Sequence, residues 1–148
     1  MKIIITESQS NTLKKRILVL IKEYGLENAG KAVGSIDNLL MILNIKTPMD
    51  FLHLFDDLDI VQSEEEKNLT LFRYKPNQNL MIYNRKYYVV YFDYNEIWSV
   101  LEGKFGLNYS ETQRLTKEWL AEVYKLRGIT TENWEIAPFR QSWLRSTI

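Results

Sequence analysis

The chain has 148 residues, 45% of them hydrophobic and 13% aromatic, with 19 basic and 19 acidic side chains and a net charge of zero. It has no cysteine and a single histidine, His53. These numbers exclude a disulfide framework and thiolate zinc sites, provide enough apolar residues for a core without staples, and leave no basic surplus to drive phosphate binding.

The opening Lys2–Ile5 reads as a short strand, and no stretch approaches the roughly 20 apolar residues of a membrane helix. Thr6-Glu7-Ser8-Gln9 fits a capping box. Leu13, Ile17, Leu20, Ile21 and Tyr24 then form one helical stripe, which Gly25 ends. Residues 26–44 predict two short helices broken at Gly34-Ser35, the second capped by Ser35 and buried through Ile36, Leu39, Leu40 and Leu43. Thr47-Pro48-Met49-Asp50 is another start signal, with Pro at the first helical position. Phe51, Leu52, Phe55 and Leu58 pack that helix.

The period then changes. Residues 59–62, 69–75, 79–83 and 87–92 are short, β-branched or aromatic segments, with turns at Pro76-Asn77 and Asn84-Arg85 and a charged loop at Ser63–Asn68. Helices return at the Asp93 cap, with a stripe of Tyr94, Trp98, Leu101 and Phe105 that stops at Gly106. Ser110-Glu111-Thr112-Gln113 predicts the cap of a last long helix, with Leu115, Trp119, Leu120, Val123 and Tyr124 inside and Gly128 as its stop. This order predicts an α+β fold, with helices packed on one face of a small three- or four-stranded antiparallel meander. One domain is expected over residues 1–138, followed by a solvated tail over 139–148. The predicted core is Leu13, Ile17, Leu20, Ile21, Leu39, Leu43, Phe51, Phe55, Val89, Ile97, Leu101, Leu115, Trp119 and Val123.

Groups that carry chemistry are few. His53 and Asp56 stand three residues apart, with Asp57 and Asp59 nearby, which places an imidazole and a carboxylate on one helix face. A surface histidine among helix-terminal acids has the same pattern, and one histidine without a second nitrogen ligand makes a poor transition-metal site. Glu64-Glu65-Glu66 lacks the alternation and glycine turn of a calcium loop and reads as a solvated turn beside a strand edge. There is no G-x-S-x-G and no S-x-x-K. No catalytic residue, metal site or cofactor is predicted, and the chain is expected not to be an enzyme.

Residues 26–43 resemble a helix-turn-helix, with Gly30 four residues before the turn glycine Gly34 and Val33, Leu40 and Leu43 at apolar positions. Ser35 to Asn44 holds no Lys or Arg and does hold Asp37, so its second helix would forgo the main source of DNA affinity. Nucleic-acid binding through this unit or through the tyrosine-rich sheet is therefore the alternative, not the leading reading.

The meander is the most aromatic region, with Phe72, Tyr74, Tyr83, Tyr87, Tyr88, Tyr91, Phe92 and Tyr94 close in sequence. In a strand over 87–92, Tyr88, Val90 and Phe92 are expected to face the helices, with Tyr87 and Tyr91 on the opposite face near Arg73, Lys75, Arg85 and Lys86. Tyrosine with arginine is favoured at protein interfaces, and ordinary strand propensity also favours tyrosine. The candidate partner-binding residues are Tyr87, Tyr91, Arg73, Lys75 and Arg85. They predict a non-enzymatic binding or assembly module that engages a protein partner or itself and no membrane.

The opening Met1-Lys2-Ile3-Ile4-Ile5-Thr6-Glu7-Ser8-Gln9 resembles the start of many small uncharacterised proteins of tailed bacteriophages and marine metagenomes. Gly30–Leu39 and Trp98–Thr130, with Phe105-Gly106-Leu107-Asn108-Tyr109, are similar to segments of the same loose group. The group has no activity to carry over. The resemblance implies a phage setting, hence host cytoplasm or virion, and no site residue.

Overall fold

The structure is a computed structural model that describes residues 7–74 and 78–139. The expected strand at Lys2–Ile5, the Thr6 cap, the Pro76-Asn77 turn, Lys75 and the chain from Arg140 lie outside the described residues. Where the sequence leads one to expect one domain to residue 138, the chain divides into two compact units, Met1–Lys46 and Thr47–Ile148. No Pro-, Gly- or Ser-rich linker marks the boundary. It falls where the Thr47 start signal opens a new helix.

The first unit holds three helices, α1 (Glu7–Tyr24), α2 (Leu26–Ala32) and α3 (Ile36–Ile42). Ile17 and Ile21 of α1 are buried, whereas Tyr24 at the end of the expected stripe is exposed. Gly34 has φ +108°, a left-handed value that L side chains rarely adopt, and it makes the sharp turn between α2 and α3. Ser35 then caps α3, its Oγ accepting from the Asn38 amide at 3.0 Å. A Cβ on Gly30 would lie 2.6 Å from Cδ1 of Ile36, so a glycine is what lets α2 approach the start of α3.

The second unit is the α+β body. Thr47 starts a helix as expected, and it does so through a capping box: Oγ1 accepts from the Asp50 amide at 3.1 Å, and Asp50 accepts from the Thr47 amide at 3.2 Å. It opens α4 (Pro48–Leu52), which runs into a 3₁₀ turn at His53–Phe55. Then follow β1 (Asp59–Gln62), β2 (Leu69–Tyr74), β3 (Gln78–Asn84) and β4 (Val89–Asp93), an antiparallel meander with a bulge between Phe72 and Arg73. Asp93 caps a π-helical turn (Tyr94–Trp98) that leads into α5 (Ser99–Gly103), and α6 (Tyr109–Val123) follows. The cap of α6 is Asn108, not the expected Ser110. Asn108 and Glu111 bond reciprocally, at 2.8 and 3.1 Å, two residues before the Ser110 box.

A fifth strand, β5 (Glu135–Phe139), pairs parallel with β4, so the sheet has five strands in the order β1-β2-β3-β4-β5. Phe139, expected to open the tail, ends this strand with 2% of its surface exposed. Pro138 is tolerated because β5 is an edge strand.

Alternation along the strands sorts the core into two layers. Phe72, Tyr74, Met81, Val90, Phe92 and Ile136 face the helices, as ring contacts of Phe72 with Tyr124 (5.1 Å), Tyr74 with Phe55 (6.2 Å) and Phe92 with Trp119 (6.3 Å) attest. The opposite face is apolar too. Val61, Leu71, Ile82, Tyr91 and Ala137 align across all five strands, and Leu69, Leu71, Ile82 and Phe139 form a buried cluster against which Val61 and Tyr91 pack.

Candidate functional site

The antiparallel meander brings the β1–β2 loop and the β3–β4 turn to one end of the sheet. The parallel return of β5 brings the segment before Glu135 to the same end. The β3–β4 turn is Arg85-Lys86-Tyr87-Tyr88, so β4 begins two residues later than expected. The reason is local. Tyr88 sits at φ +56°, a left-handed conformation that breaks the strand and costs a bulky residue about 1–2 kcal/mol. Its carbonyl accepts from the Glu135 amide at 2.9 Å, which ties the turn to β5.

Trp134 is the pillar under this turn. Its ring stacks on Tyr83 at 4.6 Å and meets Tyr88 edge-on at 4.7 Å. It is 3% exposed, its indole N–H donates to Glu132 and its carbonyl accepts from Gln113 of α6. Burial pushes the Tyr83 phenol above its ordinary value, and Arg85 pulls it back in part. Arg85 fastens the turn to the neighbouring loop. Its guanidinium donates to the Gln62 side chain at 2.8 Å and to the Lys67 carbonyl at 3.0 Å, 5.9 Å from the Tyr83 ring centre. Its amide donates to the Asn68 carbonyl at 2.9 Å. The loop itself, Ser63–Asn68, is folded by the Glu66 amide on Ser63 Oγ and presents Glu64, Glu65 and Glu66 to solvent. On this rigid base Tyr87 is 64% exposed and Tyr88 49% exposed, and Lys86 Nζ lies 5.4 Å from the Tyr87 ring.

The structure separates the four predicted binding residues that it describes. Tyr87 and Arg85 meet at this end. Tyr91 is half-buried on the face opposite the helices, 6.5 Å from the Phe139 ring, and so belongs to the second apolar layer. Arg73 lies towards the other end of β2, opposite Asp59. Lys75 is outside the described residues. Tyr88 does not face the helices from a strand, because it belongs to the turn. Trp134 is the residue that sequence reasoning missed. Its place depends on a parallel pairing that no local pattern encodes.

The other polar groups are accounted for as follows. His53 Nδ1 lies 2.8 Å from Asp56 Oδ2, and the other Asp56 oxygen accepts from the buried Trp119 indole at 2.8 Å. The imidazole is thus held from α6 through one carboxylate. The Tyr124 hydroxyl donates to the Phe55 carbonyl and accepts from the Leu58 amide, and burial raises its phenol above the ordinary range. Asp93 and Glu96 are buried at the π-helical turn, and the hydroxyls of Tyr74, Thr112 and Thr116 are buried without a hydrogen-bond partner. Among the described residues no three His, Cys, Asp or Glu side chains are grouped to hold a metal ion, and no helix is long and apolar enough to cross a membrane. No family model, curated protein or solved structure matches this chain.

Proposed function

We propose that this protein is a non-enzymatic binding or assembly module that engages a protein through the aromatic end of its sheet, in the phage setting that the resemblance implies. The observation that carries the reading is Tyr87 and Tyr88, exposed on a turn whose backbone is strained at Tyr88 and held from below by Trp134 and Arg85. Exposed aromatics on a rigid support are hot-spot material, because little side-chain entropy is lost when a partner covers them. Strain that the surroundings hold in place is characteristic of functional sites. The mixed charge around the rings, Glu64–Glu66 beside Arg85 and Lys86, favours a protein over a phosphate backbone.

The test is Tyr87→Ser, which touches the exposed ring and leaves Trp134 in place. Proteins retained from host lysate by wild type and variant are quantified, and the affinity of the best-enriched one is measured. The expected result is about a tenfold loss or more with an unchanged circular dichroism spectrum. Unchanged partners at unchanged affinity would defeat the proposal. A nucleic-acid reading has one observation in its favour, the folding of residues 26–43 as helix, tight turn and helix. The exposed positions of α3, Asp37, Asn38 and Met41, hold no base. A mobility shift that collapses steeply with added salt would put that reading first.

A further inference from the structure

We propose that the chain's own last segment, residues 140–148, covers the apolar face of the sheet opposite the helices. The segment lies outside the described residues; the face does not. Val61, Leu71, Ile82, Tyr91 and Ala137 run across all five strands on that face, and Ile82 and Phe139 each keep only 2% of their surface exposed. A side chain in the middle of a sheet has lateral neighbours but keeps its tip in water unless a second layer lies on top. Ile60, on the edge strand β1, shows what an uncovered position looks like, at 56% exposure. Ile82 stands on the central strand β3, so a covering layer is required there.

Where the chain leaves the sheet favours residues 140–148 as that layer. Phe139, the last residue of β5, belongs to the buried cluster, so the chain departs from the edge of this face. The nine residues that follow span at most roughly 30 Å when extended, against about 19 Å from β5 to β1, so they can cross the whole sheet. They bring Trp143, Leu144 and Ile148 and no acidic side chain, so no Asp or Glu is desolvated on crossing. The stems of Arg140 and Arg145 can lie along the face with their charges at its rim. The compact unit that holds the sheet runs to Ile148, whereas residues 1–6, which are also apolar, belong to the other unit. A tethered segment also outcompetes a free one, since a short link gives it an effective concentration on the order of millimolar. The second apolar layer is thereby closed to outside partners, whatever the Tyr87-Tyr88 end binds.

The chain has four tryptophans, and Trp98, Trp119 and Trp134 are 3, 0 and 3% exposed. Trp143 therefore decides how readily acrylamide quenches the fluorescence of the full chain. Quenching of the wild type is expected to be as weak as that of Trp143→Phe and to stay so on dilution from high to low micromolar concentration. In methyl-labelled full-length protein, the Trp143 indole should give nuclear Overhauser effects to Leu71 and Ile82. Trp143→Ser removes the ring current, so it should shift the Leu71 and Ile82 methyl resonances and leave Val90 and Ile136, on the helix face, in place. A readily quenched tryptophan that disappears in Trp143→Phe overturns the proposal, because a solvated tail gives that result. Shielding that is lost on dilution assigns the face to a second copy, and shielding without an Overhauser effect to Leu71 or Ile82 buries the tail elsewhere. Either of these overturns it as well. The dilution and Overhauser measurements use the wild type, so the outcome stands even if a variant fails to fold.

Discussion

Replacing Thr116 by Val should stabilise this protein, although it alters a fully buried residue. Thr116 lies on the inner face of α6 beside Trp119 and Leu120, has no exposed surface, and its hydroxyl has no hydrogen-bond partner. A buried hydroxyl without a partner carries a desolvation penalty of about 1–3 kcal/mol. Valine keeps the β-branched shape and has a similar helix propensity, so neither packing nor backbone preference changes much. The methyl that replaces the hydroxyl adds apolar burial, offset by its slightly larger volume. The net expectation is a gain of roughly 1 kcal/mol, which for a chain of this length raises Tm by about 2–4 °C. Thr116→Ala is the control, since it removes the hydroxyl and also opens a cavity, and it should fall below Val by about 1 kcal/mol or more. Urea denaturation followed by tryptophan fluorescence reads both. A Thr116→Val protein less stable than wild type by more than about 0.5 kcal/mol would show that the hydroxyl has a hydrogen-bond partner in solution, and the reasoning would fail.

Alkaline stability should be limited by Tyr74. Burial, then the charges of Glu96, Asp93, Asp57 and Tyr124, push its phenol well above its ordinary value near 10. In the unfolded chain the phenol ionises near pH 10 while the folded one keeps its proton, so stability is complete below pH 10 and falls above it. The limiting slope is about 1.4 kcal/mol per pH unit per such group. Tyr74→Phe should flatten the decline, measured as Tm between pH 9 and 11.5, and an unchanged slope would refute the assignment. Gly34→Ala should destabilise the first unit by roughly 1–3 kcal/mol, since φ +108° disfavours any Cβ and the new one would lie 2.9 Å from the Asn38 side chain. Hydrogen exchange over residues 26–43 reads it, and unaltered protection would refute it. Tyr91→Ser should cost about 2 kcal/mol or more through the apolar layer it packs on, whereas Tyr87→Ser should cost under about 0.5 kcal/mol. Equal costs at the two sites would contradict the two-layer sheet.

What was legible in the sequence was local. Thr47 with Asp50, Ser35 before α3 and Asp93 before the π-helical turn are short-range signals, and each cap forms as read. Periodicity located the helices and the first four strands within a few residues. Ile17, Ile21, Leu39, Phe51, Phe55, Ile97, Leu101 and Trp119 are buried as expected, while Leu13, Leu20, Leu43, Val89, Leu115 and Val123 are half-buried. What was not legible depends on distant pairing. Glu135–Phe139 does not alternate and contains Pro138, and it becomes a strand only because β4 offers a parallel edge. The cap of α6 was ambiguous because Asn108-x-x-Glu111 and Ser110-x-x-Gln113 both satisfy the box spacing, and the first of them forms. The second apolar layer left a sign in Val89-Val90-Tyr91-Phe92, which is hydrophobic on both faces. That pattern fits the half-buried Tyr91, which packs against the second apolar layer.

The same logic isolates the sheet end. Tyr88 departs from local rules, as Lys125 does, each at a left-handed φ without being glycine or asparagine. Glycine or asparagine at a left-handed turn position would close the hairpin at lower energy. The edge-on contact with Trp134 returns about 0.5–1.5 kcal/mol, comparable to the strain, so folding alone gives little reason for tyrosine there. Tyr87 makes no ring contact with the core and stands almost two-thirds exposed. Two adjacent rings that stabilise the fold so little, on a clamped turn, are the feature on which the proposed binding role rests. Where local preference and observed residue disagree without a stabilising return, a functional role is the hypothesis to test, and Tyr87→Ser tests it.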